Sequence, residues 1–137
     1  MTLHVTLVVP EGELWAGDAD RVIAKTLDGD IGVLTGHTPV LGILATGSLV
    51  RILPGETGST SGSGWVEAAV AGGFLSVADD RVAILARQAA LGADVDKSAV
   101  KSALDSARDE TGGEDDDEAQ ARVAYLEAQL RAAGESL

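Results

Sequence analysis

Few side chains in this sequence could break bonds. Its 137 residues include two histidines, His4 and His37, no cysteine, 22 acidic and 10 basic residues. A metal centre built from imidazole would need both histidines to meet beside a carboxylate, because zinc sites ordinarily take three or four protein ligands. Without cysteine there is no thiolate ligand, no thiol nucleophile and no disulfide scaffold. Lys25-Thr26 has the ending of a phosphate-binding loop but lacks the glycine-rich lead-in, and GxSxG, HExxH and GxGxxG are all missing. No pair of carboxylates is marked by its spacing as a general acid and base. The residues therefore argue against an enzyme acting on its own.

The charge balance narrows the partners. At a formal net charge of −12, the chain is poorly suited to nucleic acid or an anionic membrane surface, both of which call for a positive patch. Nor does any run approach the roughly 18 uninterrupted apolar residues of a membrane helix, so direct insertion into a membrane is not expected. The start, MTLHVTLVV, alternates like a strand and does not read as a cleavable leader.

Composition divides the chain at about residue 93. Fourteen of the 17 glycines and all three prolines, Pro10, Pro39 and Pro54, lie before that point. The remainder is alanine-rich and holds 12 acidic and 5 basic residues. In the first part Leu3, Val5, Leu7 and Val9 alternate with His4 and Thr6, the period of a half-buried strand. Strand-like runs follow at 20–27, 30–34, 48–53, 65–71, 73–78 and 81–87, each bounded by Gly, Pro or Asp. Short strands at nearly regular spacing imply a sandwich or barrel. Asp79-Asp80 reads as a two-residue hairpin turn in which the usual glycine is missing. Residues 54–64, PGETGSTSGSG, read as a long hairpin loop.

Beyond Gly92 the apolar period becomes helical. Val100, Ala103, Leu104 and Ala107 share a face, with Asp94 or Asp96 placed to cap the helix start. Gly112-Gly113 ends that helix, and the acidic run at 114–118 opens another. In the second helix Ala119, Val123, Leu126, Leu130 and Ala133 recur at helical spacing, with Glu118–Arg122 and Glu127–Arg131 as i, i+4 pairs on the wet side. The expected hairpin, residues 94–137, offers narrow alanine-based stripes. At about 25 cal/mol per Å² such a seam stabilises by only a few kcal/mol before ordering costs, so it should detach readily.

Two strings then become specific. VVPEGELWAGDADRVIAKTLDGDIGVLTGHTPVLGILATGSLVRI at 8–52 and VAGGFLSVADDRVAILARQA at 70–89 resemble the epsilon subunit family of bacterial F-type ATP synthase, equivalent to the mitochondrial delta subunit. The recurring elements are Pro10-Glu11-Gly12, Trp15 before Gly17, the DGDIG and GHTP loop, and Gly47 before a strand. The resemblance implies a mainly β fold: a ten-stranded sandwich over residues 1–93, then a regulatory α-helical hairpin over 94–137. It also implies a non-catalytic rotor-stalk subunit that couples proton flow to ATP synthesis. The partners so implied are a gamma subunit, the ring of c subunits and, through the hairpin, the α/β catalytic head. The implied location is peripheral, at the cytoplasmic face of a bacterial cell membrane. On the same basis Asp28, Asp30, Gly32, His37 and Pro39 belong to a ring-facing loop.

Some members of that family bind ATP at an I-D-x-x-R-A motif that opens the first helix. The matching positions here include Asp96 and Lys97, but Ala99 stands in place of the arginine. Lys101 or Lys97 could only substitute a point charge for a bidentate fork. No cofactor is expected, and millimolar ATP should not compact the hairpin. Inhibition in the family relies on basic residues of the second helix; here these are only Arg122 and Arg131, with Arg108 on the first, so weaker electrostatic capture of the catalytic head is expected. The alternative reading, from a different class, is a stand-alone β-sandwich ligand-binding module with a helical dimerisation hairpin.

Overall fold

A computed structural model describes residues 2–54, 64–111 and 117–135 of the chain. Seven strands come first: β1 (Leu3–Val9), β2 (Gly12–Thr26), β3 (Gly29–Val33), β4 (Val40–Ile43), β5 (Ser48–Pro54), β6 (Val66–Ala78) and β7 (Arg81–Leu91). A single 3-10 turn at Gly92–Asp94 leads to α1 (Lys97–Thr111), and α2 (Asp117–Ala132) follows. The expected loop at 54–64 and the Gly112-Gly113 break fall largely or wholly outside the described residues.

Among the described residues the strand count corrects the expected ten to seven. The reason is that β2, β6 and β7 run 15, 13 and 11 residues, long enough to serve two parts of the sheet in succession. β2 pairs with β1 through Gly12–Ala19 and with β3 and β5 further on. β6 pairs with β5 at its start and β4 at its end, while β7 runs beside nearly all of it. The runs 65–71 and 73–78 are thus one strand. At Gly73 φ is +120° and an added Cβ would lie 2.1 Å from the Leu85 carbonyl oxygen. Only glycine fits there, and β6 keeps its register on β7 through this point.

β1 pairs parallel to β7 on one side and antiparallel to β2 on the other, which closes the sheet on itself and leaves no free edge on β1. The interior is aliphatic. Leu3, Val5, Leu7, Val22, Val50, Ile52, Leu75 and Ile84 are fully buried in one cluster. Alternation along β1 produces this directly, since its odd-numbered residues point inward.

The helices fold back on the sandwich, and α2 makes most of the contact, lying over β5 and β6. α2 has two distinct faces. Leu130, with Val123 and Leu126, meets Val100 and Leu104 of α1. Ala128 and Ala132, with Tyr125, meet Ala69 and Leu49 of the sheet. Asp96 caps α1: its Oδ1 accepts the N–H of Ala99 at 3.1 Å and its carbonyl accepts that of Val100 at 3.0 Å.

Candidate functional site: a polar loop end, an apolar outer row and a docked hairpin

The loop end is built around a threonine. Thr26 ends β2 buried, its hydroxyl donating to the Gly29 carbonyl at 2.7 Å and accepting the Asp28 N–H at 3.2 Å. These bonds fix the turn that presents Asp28, which is exposed along with Asp30, Gly32 and Pro39. His37 is half-buried, and its Nδ1 lies 2.7 Å from the Thr38 carbonyl, so the ring is oriented within its own loop. All five residues lie on the segment from the β2–β3 turn to the start of β4. His4 faces Asp18 at 3.7 Å, both exposed. Among the described residues no three potential ligands cluster to hold a metal ion.

The outer face beside this end is apolar. Ile43 of β4 stands opposite Phe74 of β6, and Phe74 opposite Leu85 of β7. The Leu27 N–H bonds the Ile43 carbonyl at 2.9 Å, which extends the row to the end of β2. Exposures of 68% for Leu27, 69% for Leu41, 60% for Ile43, 43% for Phe74 and 40% for Leu85 describe a contiguous apolar surface across several strands. Single exposed leucines are ordinary, but a connected row marks a contact surface. Sequence reading missed it because an apolar residue on the outer face looks the same as one in the core.

The residues matched to the ATP motif are engaged within the hairpin. Asp96 serves as the cap. Lys97 and Lys101 both reach Glu135 at 3.6 Å, beyond the end of α2. Arg108 and Arg131 share Glu127 at 3.6 and 3.9 Å. A cleft of about 840 Å³ opens between the helices and the sandwich, lined among others by Thr46, Arg87, Ser106, Arg122, Tyr125 and Gln129. Asp96, Lys97 and Lys101 do not line it. Arg87, which sequence reasoning passed over, does. Burial raises the pKa of Tyr125 above its ordinary value of 10.0 by penalising the phenolate.

Two close approaches set how α2 sits. A Cβ on Gly47 would fall 2.5 Å from the Ala124 Cβ, and one on Gly92 would fall 1.9 Å from the Ala132 carbonyl oxygen. The alanine face of α2 therefore rests almost on the backbone of the sandwich.

A family model described as ATP synthase, Delta/Epsilon chain, beta-sandwich domain matches residues 2–92. The chain is 52% identical over 132 residues to the ATP synthase epsilon chain of Thermobifida fusca, covering 96% of this chain and 91% of the relative. It is also 50% identical to that of Frankia casuarinae over 91 residues, covering 66% of this chain but 99% of the relative. That relative is no longer than a sandwich domain. Among solved structures, a chain of the Euglena gracilis mitochondrial ATP synthase aligns with a TM-score of 0.74 at 23% identity, covering 98% of this chain and 82% of that one. One from the Tetrahymena thermophila mitochondrial ATP synthase central stalk and c-ring aligns at 0.57 and 18%, covering 96% of each. The last two establish likeness of fold.

Proposed function

The chain belongs to the ATP synthase delta/epsilon family, and we propose that it works as a non-catalytic subunit of the central stalk, coupling proton translocation to ATP synthesis. The carrying observation is the apolar row Leu27, Ile43, Phe74 and Leu85 beside a polar loop end. A rotor element must grip one partner firmly and meet a second at its end. The row supplies the grip: burying a side chain such as Phe74 or Ile43 contributes about 1.5–3 kcal/mol. We assign this row to a gamma-type stalk subunit, and the exposed loop of Asp28, Asp30, Gly32, His37 and Pro39 to the ring of c subunits.

In this reading no covalent chemistry falls to the chain. No helix among the described residues is long and apolar enough to cross a membrane, which is compatible with peripheral attachment through the ring at the cytoplasmic face. The hairpin is the regulatory element, acting on the catalytic head when it leaves the sandwich. ATP is not required to keep the two helices together, because Glu135 already draws Lys97 and Lys101 to the end of α2.

The test is co-purification with a gamma-type subunit. Ile43→Ser combined with Phe74→Ser should leave folding intact, since both side chains face outward, yet weaken binding on the order of 100-fold. Undiminished binding would remove the apolar row from the stalk interface. Calorimetry with millimolar ATP should show no isotherm; one lost on Asp96→Ala would overturn the ATP-independent hairpin.

A further inference from the structure

The turn joining β6 to β7 departs from the usual residue choice. Asp79 and Asp80 both lie at positive φ, 51° and 60°, as a two-residue turn between twisted strands demands. Glycine fills the second position of such a turn with less strain. A side chain kept in a sparsely populated conformation suggests that the side chain itself has a task.

Asp80 makes two connections outside its hairpin. Its Oδ1 accepts the backbone N–H of Gly36 at 2.6 Å. Its main-chain carbonyl accepts the N–H of His4 at 2.8 Å. Gly36 lies at the centre of the loop between β3 and β4, with φ +80°. The other hydrogen bonds of that loop are local: the His37 N–H to the Leu34 carbonyl at 3.2 Å, and His37 Nδ1 with the Thr38 carbonyl. Among the described residues, the bond to Asp80 is the one that ties the middle of this loop to another element.

We propose that Asp80 is a positioning residue, whose carboxylate clamps the loop carrying His37 and Pro39 to the tip of the β6–β7 hairpin, so that the loop meets its partner already ordered. A carboxylate accepting a backbone N–H forms a charge-assisted bond, stronger than a neutral one. A loop fixed before docking does not lose conformational freedom on contact, which favours binding and stiffens the joint. The proposal rests on the reading that this end of the sandwich faces the ring.

The experiment separates turn from clamp. Asp80→Gly keeps, and even relaxes, the turn while removing the carboxylate; Asp80→Asn keeps an acceptor oxygen and tolerates the same backbone; Asp79→Gly relaxes the turn without touching the clamp. Amide hydrogen exchange on the full chain should show Gly36 opening on the order of tenfold faster in Asp80→Gly, with Ala78 and Arg81 unchanged. Asp80→Asn should restore protection, and Asp79→Gly should match the parent. In the membrane-reconstituted complex, proton-driven ATP synthesis should fall with Asp80→Gly and recover with Asp80→Asn.

Gly36 exchange unaltered in Asp80→Gly would overturn the clamp. So would failure of Asp80→Asn to rescue, or full ATP synthesis by Asp80→Gly in a complex that deletion of His37–Pro39 inactivates. If that deletion itself leaves synthesis intact, the ring-facing reading fails, and the positioning role with it. The Gly36 exchange then reports on the bond alone, so the two failures are told apart.

Discussion

The sandwich and the hairpin bury their surfaces in opposite ways. The sandwich interior is mostly Leu, Ile and Val with a few alanines, drawn from nearly every strand, with closure through β1 removing an edge. The seam between α2 and the sheet is Ala128 and Ala132 on Ala69, flanked by Leu49 and Tyr125. Large aliphatic side chains lose much water-exposed area on burial, and alanine little, so the first region is held by transfer free energy and the second by close fit. An element held by fit can be released by a small displacement. In the proposed reading that difference suits a rigid stalk element carrying an appendage able to detach.

The sharpest way to break this comparison is in the core. Ile84→Ala should destabilise the sandwich by about 2–5 kcal/mol, lowering its urea midpoint and carrying the hairpin with it. Leu130→Ala, at the α1–α2 seam, should loosen the hairpin and leave the sandwich transition in place. A single shared transition in both variants would show that the two regions form one cooperative unit.

Next in size is Gly92→Ala. The added methyl would meet the Ala132 carbonyl, and overpacking of this kind costs about 1–3 kcal/mol. Since the clash involves backbone, the expected response is displacement of α2, read as faster amide exchange at Leu49 and Ala69 with the β1 and β7 amides unaffected.

Alkaline pH gives a milder test. The Tyr125 pKa is raised above 10.0 by burial, so the docked state favours the neutral phenol. Its contribution is fully present below about pH 10 and is lost as pH rises through the higher folded value. Docking of the hairpin should therefore weaken as pH rises through that value, and Tyr125→Phe should remove the dependence. Smallest of all is Glu127→Gln. Its pairs with Arg108 and Arg131 are partly exposed, so the loss should stay below about 1 kcal/mol and shrink further in high salt.

Legibility in the sequence followed the same division. β1 was readable because Leu3, Val5, Leu7 and Val9 alternate with polar neighbours, and the cap of α1 was narrowed to Asp94 or Asp96, between which the hydrogen bonds of Asp96 decide. β4 was not readable. In VLGIL, Leu41 and Ile43 face outward while Leu44 faces the core, and with both faces apolar the period of two disappears. The first half of β2 was hidden for another reason, since Glu13 to Asp18 are mostly exposed and supply no inward signal. In α2 the spacing of Val123, Leu126 and Leu130 was visible, but it marks the seam with α1. The face that docks on the sheet is alanine and tyrosine, types that also occur on exposed helix surfaces.

The loop residues Asp28, Asp30, Gly32, His37 and Pro39 were grouped by resemblance alone, and the geometry adds how the loop is held: by Thr26 and by Asp80 of the neighbouring hairpin. Nothing in the local sequence links Asp80 to Gly36. The same holds for Glu135 with Lys97 and Lys101, and for Glu127 with Arg108, contacts that exist only once two helices lie antiparallel.

By itself the sequence determined a β-rich first part, a helical second part and the family, because periodicity, turn chemistry and specific strings are local properties of the chain. Tertiary structure alone decided that seven described strands suffice because three of them are long, that the apolar residues of β4, β6 and β7 form one outer row, and that the hairpin lies docked. Each of these depends on which surfaces meet across large sequence separations. Burial and close contact between distant segments are set by packing, and no local pattern of residue types encodes them.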